Sequence, residues 1–276
     1  VKGLPILLGV PALWFALLAM ITVFGRDTMI SIFGKEFWTH GVGATELAHT
    51  NFVSTWFIDM TFIPLATFAV VTFALGLKRF VVDMHNNAVL EGKTEKFELN
   101  IGELILSLKD VIPTVLKHSK FDECGENKER GTSHMMVLYG FIGCLIATTI
   151  AGTLLYLGHL PGPYTQINPV KLFGNIGGIA IVIGSALMIK ARLDNKEKVS
   201  AYKDWYLLGL VFTLGATGLL AEMTRVAGSA PVSFFFYYIH LICIFNMFAF
   251  IPFSKMAHLV YRITAMTYAA YGNRKY

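Results

Sequence analysis

The sequence has few charged residues for its length. Asp, Glu, Lys and Arg make up 15% of the 276 residues, whereas hydrophobic residues make up 55%. Soluble domains carry about 25% charged residues, so the composition argues against a water-soluble enzyme and favours a membrane protein. The net charge of +5 does not indicate a nucleic-acid partner, because in a membrane chain the placement of the positive charges is what matters. We expect membrane lipid, and no nucleic acid, to contact this chain.

Cysteine is also scarce. The chain contains only Cys124, Cys144 and Cys243, and no two of them form a CxxC pair. It therefore cannot supply four thiolates to an iron–sulfur cluster or a zinc ribbon, and it cannot form a disulfide framework. Covalent haem attachment is excluded as well, because the sequence has no CxxCH motif.

Six long apolar stretches dominate what remains. Even the shortest would reach roughly 25 Å as a helix, which is close to the thickness of the hydrocarbon core. The stretches are continuous and do not alternate, so we predict an all-α fold, a bundle of six transmembrane helices. The predicted spans are Leu4 to Phe24, Phe52 to Leu77, Met135 to Gly158, Leu172 to Ile189, Trp205 to Ala221, and Val232 to Phe253.

The Lys and Arg residues predict the orientation of these spans. With both termini in the cytoplasm, nineteen of the 23 Lys and Arg residues lie on the inner side. We therefore expect both termini to be cytoplasmic, in a multi-pass protein of a bacterial or archaeal cytoplasmic membrane. The first span is longer than the apolar core of a signal peptide and lacks a small-residue cleavage site, so we interpret it as an anchor.

The whole chain, residues 1–276, is predicted to form a single membrane domain, with residues 78–133 as its longest cytoplasmic loop. Within this loop, apolar residues from Ile101 to Val115 recur at helical spacing, opposite Glu103 and Asp110. This pattern predicts an amphipathic helix at the inner membrane face. The helix could simply fill the interface, or it could dock a cytoplasmic partner.

Histidines inside the spans are candidates for cofactor ligation, since ionisable groups in lipid are costly. His240 lies inside the sixth span and His258 follows eighteen residues later, which is five turns of one continuous helix. Two imidazoles on one face, about 27 Å apart, would suit two haem irons stacked across a membrane. A hydrogen-bonded packing residue is the alternative for each.

Two further histidines could complete these iron sites. His134 begins the third span, which runs antiparallel to the sixth, so we predict that it shares an inner haem with His258. His159 lies nearly on the same helix face as His134, but it could reach His240 only through a bent helix end. An exposed position at an outer turn is an equally good interpretation of His159.

Parts of the chain resemble the membrane subunits of respiratory oxidoreductases. His240-Leu241 with Ile251 to His258, and Leu172 to Ala221, resemble the last three helices of the di-haem gamma subunit of nitrate reductases. More closely, His118 to Cys124 and His134 to Gly143 look like the membrane cytochrome b subunit of the quinone-interacting membrane-bound oxidoreductase (Qmo) complex, a relative of heterodisulfide reductase membrane subunits.

The resemblance implies non-covalent haem b, with His134 and His258 on the inner haem and His240 on the outer one. The position of the family's remaining ligand is occupied here by Cys144. Three possibilities stay open for the outer haem: His159 is the ligand, Met60 is the ligand, or no outer haem binds. The haem count, one or two, depends on which of these holds.

Two ionisable residues are candidates for quinone and proton chemistry. Lys171 matches a lysine that the family places near its quinone head group, which implies menaquinone or menaquinol as a further cofactor. Asp59 is the only carboxylate deep in a span, and its alternative role is that of a structural, hydrogen-bonded acid. Glu222 and Arg225, at i and i+3, could simply pair with each other.

The resemblance implies an enzyme subunit that exchanges electrons between menaquinone and the cytoplasmic iron–sulfur and flavin subunits of a sulfur-metabolism oxidoreductase in anaerobic respiration. Its partners would be subunits of the Qmo A and B type and the quinone pool. The family's N-terminal iron–sulfur domain is expected to be absent from this chain. An ion or proton transporter, or a haem-free anchor for soluble subunits, are the alternatives.

Overall fold

The computed structural model describes residues 3–33, 47–117, 128–160, 162–194 and 201–274, and within these ranges every regular element is helical. Two short 3-10 turns lie at His49–Asn51 and Ile251–Phe253. The α-helices of the described ranges are Leu4–Phe24 (α1), Arg26–Phe33 (α2), Thr55–Leu90 (α3), Ile101–Lys117 (α4), Lys128–Tyr156 (α5), Pro169–Asp194 (α6), Tyr202–Val226 (α7), Ala230–Phe250 (α8) and Ala257–Tyr271 (α9).

Six of these helices are long and apolar enough to cross a membrane: α1, α3, α5, α6, α7 and α8. The prediction of an all-α protein with six membrane-length helices is therefore confirmed. Its physical basis is that a continuous apolar run can satisfy its backbone polar groups in lipid only as a helix.

Helix α3 extends well past the predicted end of the second span. We predicted a boundary at Leu77 because charged residues begin at Lys78, but the helix continues to Leu90. The added turns carry Val81 and Ala88 into a buried cluster, and packing rather than hydropathy keeps them helical. His85, which falls within the predicted cytoplasmic loop of residues 78–133, is instead buried on this helical extension, with 4% of its surface exposed.

The sixth span is not a continuous helix as far as His258. Helix α8 ends at Phe250, a 3-10 turn follows, and α9 begins at Ala257. Pro252 lies in this 3-10 turn; it has no backbone N–H to donate and its ring disfavours a straight continuation of the α-helix. The prediction that His240 and His258 lie in phase on one helix is therefore wrong.

The described chain divides into two compact units. The first comprises residues 1–65 and 132–247, and the second comprises residues 66–131 and 248–276. In the first unit, a core of large apolar side chains joins α1, α3 and α8; its buried members are Phe15, Leu18, Ala19, Val53, Phe57 and Leu241.

Glycines allow α5 and α6 to pack closely within the first unit. A Cβ atom added at Gly177 would lie 2.7 Å from the carbonyl oxygen of Gly140 and 3.1 Å from Cys144 Sγ. One added at Gly184 would lie 2.7 Å from the carbonyl oxygen of Ser133. Small residues at these positions let the two backbones approach, as in many membrane helix pairs.

In the second unit, α4 packs against α9. The predicted amphipathic helix is present over Ile101–Lys117, but its apolar residues divide into two groups. Leu104 and Val111 are buried, whereas Ile105 and Ile112 are exposed. Only part of the helix's apolar surface is therefore buried within the protein.

Candidate functional site

One negatively charged and two positively charged side chains meet in the first unit. Glu222 Oε2 accepts a hydrogen bond from Lys171 Nζ at 2.7 Å, and Glu222 Oε1 accepts one from Arg225 Nη2 at 2.8 Å. The Gln166 amide also donates to Glu222 Oε1, at 2.6 Å. The side chains of Lys171, Glu222 and Arg225 are 21%, 12% and 11% exposed. We call Lys171, Glu222 and Arg225 the charged cluster.

Local sequence explains how two helices bring these residues together. Asn168 Oδ1 accepts a hydrogen bond from the backbone N–H of Val170, and Pro169 opens α6, so Lys171 lies in the first turn of that helix. Glu222 and Arg225 are three residues apart in the last turns of α7, which places them on one face. The packing of α6 against α7 then joins the two ends.

His49 lies next to this cluster. Its Nε2 atom is 2.8 Å from Ser233 Oγ, and Ser233 donates its hydroxyl proton to the carbonyl oxygen of Ala221 at 2.8 Å. Because a hydroxyl has only one proton to donate, we assign the proton of the His49–Ser233 bond to Nε2 of His49. The imidazole also stacks on the ring of Tyr237, with centroids 4.5 Å apart.

The surroundings of His49 keep its imidazole neutral. Burial lowers its pKa to about 4, and the positive charges of Lys171 and Arg225 contribute to this shift, opposed by Glu222. With His49 neutral, the charged cluster carries two positive charges and one negative charge. These three side chains by themselves therefore sum to a charge of +1, and all three are largely buried.

Asp59, the predicted intramembrane acid, is half-buried on α3 and accepts a hydrogen bond from the Tyr156 hydroxyl at the end of α5. Lys171, the predicted quinone-site lysine, pairs with Glu222. The expected Glu222–Arg225 pair is present, but no local pattern in the sequence indicated that Lys171 joins it. Catalytic roles for Asp59 and Lys171 stay predictions.

His240 lies on α8 and is held against α7. Its Nδ1 atom is 2.9 Å from the carbonyl oxygen of Leu214, and a Cβ atom added at Gly218 would lie 2.8 Å from Cε1 of the ring. Because a carbonyl oxygen only accepts, Nδ1 carries the proton and Nε2 keeps a lone pair. Such a tautomer suits a metal ligand, so ligation by His240 stays a prediction.

The other predicted ligands occupy different elements of the chain. His134 is half-buried near the start of α5, and His258 is exposed in the first turn of α9 with Nδ1 3.1 Å from the carbonyl oxygen of Lys255. His159 is exposed and follows the end of α5 at Tyr156, so the helix face that we predicted for it does not exist.

Cys144 and Met60 are the remaining positions considered for the predicted outer haem. Cys144 faces Gly177 in the tight α5–α6 contact, and Met60 is 55% exposed. Within the part of the chain that the structure describes, no group of three or more His, Cys, Asp or Glu side chains could hold a metal ion. The His118 to Cys124 motif lies outside the described residues. The assignment of these residues as ligands of one or two haems stays a prediction.

Comparison with known proteins identifies the family. A family model described as "CitB: Citrate utilization protein B" matches residues 101–276, which is more than half of the chain. This chain belongs to the citrate utilization protein B family. A curated member of that family, citrate utilization protein B of Escherichia coli, is 29% identical over 140 residues, which cover 48% of this chain and 35% of that protein. The chain thus spans about a third of the length of this relative. No solved structure matches it.

Membership of the citrate utilization protein B family corrects the functional prediction. The resemblance to Qmo and nitrate reductase membrane subunits is wrong, because the matched family is a different one. The predicted haem b subunit for menaquinone-linked sulfur metabolism is wrong for the same reason, and so are the predicted Qmo A and B partners. Membrane helices of similar length with scattered histidines occur in many apolar helical bundles, so these features do not identify a family.

The sequence patterns did not single out His49. It lies in a connection ahead of α3, where a solvated imidazole is the default expectation. Its partner Ser233 is 184 residues away along the chain, and no local spacing relates the two. Only the packing of distant elements could reveal this contact.

Proposed function

We propose that this chain is a multi-pass membrane component of citrate utilization, with the charged cluster and His49 as its functional centre. The observation that carries the proposal is the family match over residues 101–276, which includes four of the six membrane-length helices. All three members of the charged cluster lie inside the matched region. Largely buried charges at the ends of membrane helices are costly, which supports a functional role for them.

The proposed orientation keeps both termini in the cytoplasm of a bacterial or archaeal cell. Its support is the excess of Lys and Arg in the connections assigned to the inner side. In this orientation, the N-terminal end of α6 and the C-terminal end of α7 lie on the outer side, so the charged cluster faces the exterior. Fusing a reporter that is active only in the cytoplasm to the C-terminus tests this arrangement, since an inactive reporter would reverse it.

The cofactors stay predictions. A non-covalent haem b would use the unprotonated Nε2 of His240, and the Nδ1 contact with Leu214 supports that role because it orients the ring. A pyridine haemochrome assay on the purified chain decides the haem question: one or two haems per polypeptide would support the ligands, and none would reject them.

Growth tests the proposed function directly. Deleting the gene for this chain from its host should abolish growth on citrate as sole carbon source and leave growth on glucose unchanged. Restoring the wild-type gene should restore growth, whereas a copy with Glu222→Ala should restore it poorly, because Lys171 and Arg225 would then repel each other. Normal growth of the deletion strain on citrate would reject the proposal.

A further inference from the structure

Helix α3 changes from apolar to cationic within one turn. Val71 and Leu75 are 50% and 57% exposed, as side chains that face lipid tails would be. Lys78 and Arg79 follow within one turn and are exposed as well. A cation at the end of an apolar run extends its charged end into the polar headgroups of a bilayer, while its stem stays along the apolar surface. These residues therefore mark the level on α3 at which lipid tails give way to headgroups.

Helix α9 brings a third cation to the same level. Tyr261 packs against α3 between Gly76 and Phe80. Its hydroxyl occupies the space that a Cβ atom at Gly76 would need, and its ring meets the Phe80 ring edge to face, with centroids 5.3 Å apart. Arg262 is the next residue and is exposed. Since the two cations of α3 lie between Gly76 and Phe80 in the sequence, all three cations lie within about one helical turn of each other along α3.

We call Lys78, Arg79 and Arg262 the interfacial cations. Lipid phosphates form a layer next to the hydrocarbon core, and guanidinium and ammonium groups are common partners of phosphate in proteins. Tyr261, an aromatic side chain with a polar end, is typical of the same layer. Contact with lipid phosphate requires only that each cation reaches this layer, and it does not require an excess of positive charge in the unit.

We propose that the interfacial cations bind the phosphate groups of anionic phospholipids, in the leaflet where α3 leaves the hydrocarbon core. An anionic lipid is favoured over a zwitterionic one, because no ammonium group in its own headgroup offsets the phosphate charge. Asp83, an exposed carboxylate one turn after Arg79, opposes the lipid and limits this preference. Such binding rests on the membrane placement proposed above and is independent of the role in citrate utilization.

Lipid titration provides the test. The full chain, purified in a neutral detergent, is titrated with phosphatidylglycerol or with phosphatidylcholine, and bound lipid is measured by native mass spectrometry. The wild-type chain should bind phosphatidylglycerol more tightly. Arg79→Gln and Arg262→Gln should each weaken this binding about fivefold, the factor that corresponds to about 1 kcal/mol per cation. Arg79→Lys preserves the positive charge and should keep the wild-type affinity within about twofold.

The matched control is Lys93→Gln. Lys93 is an exposed cation of the second unit that pairs with Glu91, but it follows the end of α3 at Leu90, about 18 Å beyond Lys78 along the helix. This variant should bind phosphatidylglycerol as the wild-type chain does. Asp83→Asn removes the opposing carboxylate and should bind this lipid at least as tightly as the wild-type chain.

Three results would overturn the proposal. The first is equal binding of phosphatidylglycerol and phosphatidylcholine by the wild-type chain. The second is an equal loss of affinity in Arg79→Gln and Lys93→Gln, because it would show a general response to the net charge of the protein. The third is displacement of phosphatidylglycerol by inorganic phosphate in excess, because it would show that the cations recognise free phosphate and not a lipid.

The lipid and growth experiments fail separately. Normal growth of the deletion strain on citrate, together with phosphatidylglycerol binding in the expected order of variants, would reject the role in citrate utilization and leave the lipid site in place. Loss of growth, together with identical phosphatidylglycerol binding by all variants, would reject the lipid site alone.

Discussion

His49 and Ser233 are 184 residues apart in the sequence, yet Nε2 of His49 lies 2.8 Å from Oγ of Ser233. Ser233 is completely buried, and its hydroxyl donates its proton to the carbonyl oxygen of Ala221. The contact therefore links the connection before α3 with α8 and, through Ala221, with α7. It also fixes an imidazole beside the charged cluster in its neutral form.

The neutral state of His49 predicts a dependence of stability on pH. The unfolded chain takes up a proton on this histidine below its ordinary pKa of 6.5, whereas the folded chain does so only below about 4. The stability that this difference contributes is fully present above the unfolded pKa and is lost as the pH falls between these two values, by up to about 3 kcal/mol. Thermal unfolding of the purified chain, followed from about pH 7 to about pH 4.5, should show this loss.

A glutamine at position 49 keeps a side-chain donor but cannot titrate, so His49→Gln should reduce the loss of stability on acidification. His258→Gln is the matched control, because His258 is exposed. An unchanged pH dependence in the first variant would mean that other groups determine the acid sensitivity.

The Asp59–Tyr156 hydrogen bond predicts a modest contribution to stability. Replacing Tyr156 by Phe removes the donor to a half-buried carboxylate and should lower the free energy of unfolding by about 1 kcal/mol, because Tyr156 itself is 48% exposed. Tyr202→Phe is a suitable control, since Tyr202 is 47% exposed at the start of α7. Denaturation in a graded detergent series measures both variants, and an equal effect at the two positions would contradict the prediction.

The α5–α6 contact predicts that two glycines in membrane helices respond oppositely to the same substitution. Gly177→Ala forces a methyl group to within 2.7 Å of a backbone oxygen and should destabilise the protein by about 1–3 kcal/mol. Gly209→Ala meets nothing within 4 Å and should be neutral or stabilising by up to about 1 kcal/mol, since alanine is the better helix former. Thermal unfolding of the two variants compares them, and a similar loss in both would argue against the tight contact.

The exposed apolar row of α4 predicts contact with lipid. Ile101, Ile105 and Ile112 stay exposed although Leu104 is buried, which leaves one apolar edge of the helix for the membrane surface. An environment-sensitive fluorophore on Ile105→Cys, in a chain without its native cysteines, should shift to the blue in lipid nanodiscs. The same label on Asp110→Cys, on another face of the helix, should not. Equal spectra at the two positions would place α4 away from the lipid.

Composition and hydropathy determined the helical class and the number of membrane-length helices. Fifteen per cent charge and six continuous apolar runs leave the backbone no other way to satisfy its hydrogen bonds in lipid. Helix ends were less predictable. Charge at Lys78 suggested that α3 would stop, and the regular spacing of His240 and His258 suggested a continuous last helix, but packing extended the first and Pro252 interrupted the second.

The sequence by itself therefore established that this is an α-helical chain with six helices able to cross a membrane. Hydropathy decides this property, and the hydropathy of a stretch is a sum over residues that are neighbours in the chain. Only the tertiary structure could join Lys171 to Glu222 and His49 to Ser233. These contacts depend on the angle and register at which separate helices pack, and no local periodicity encodes them.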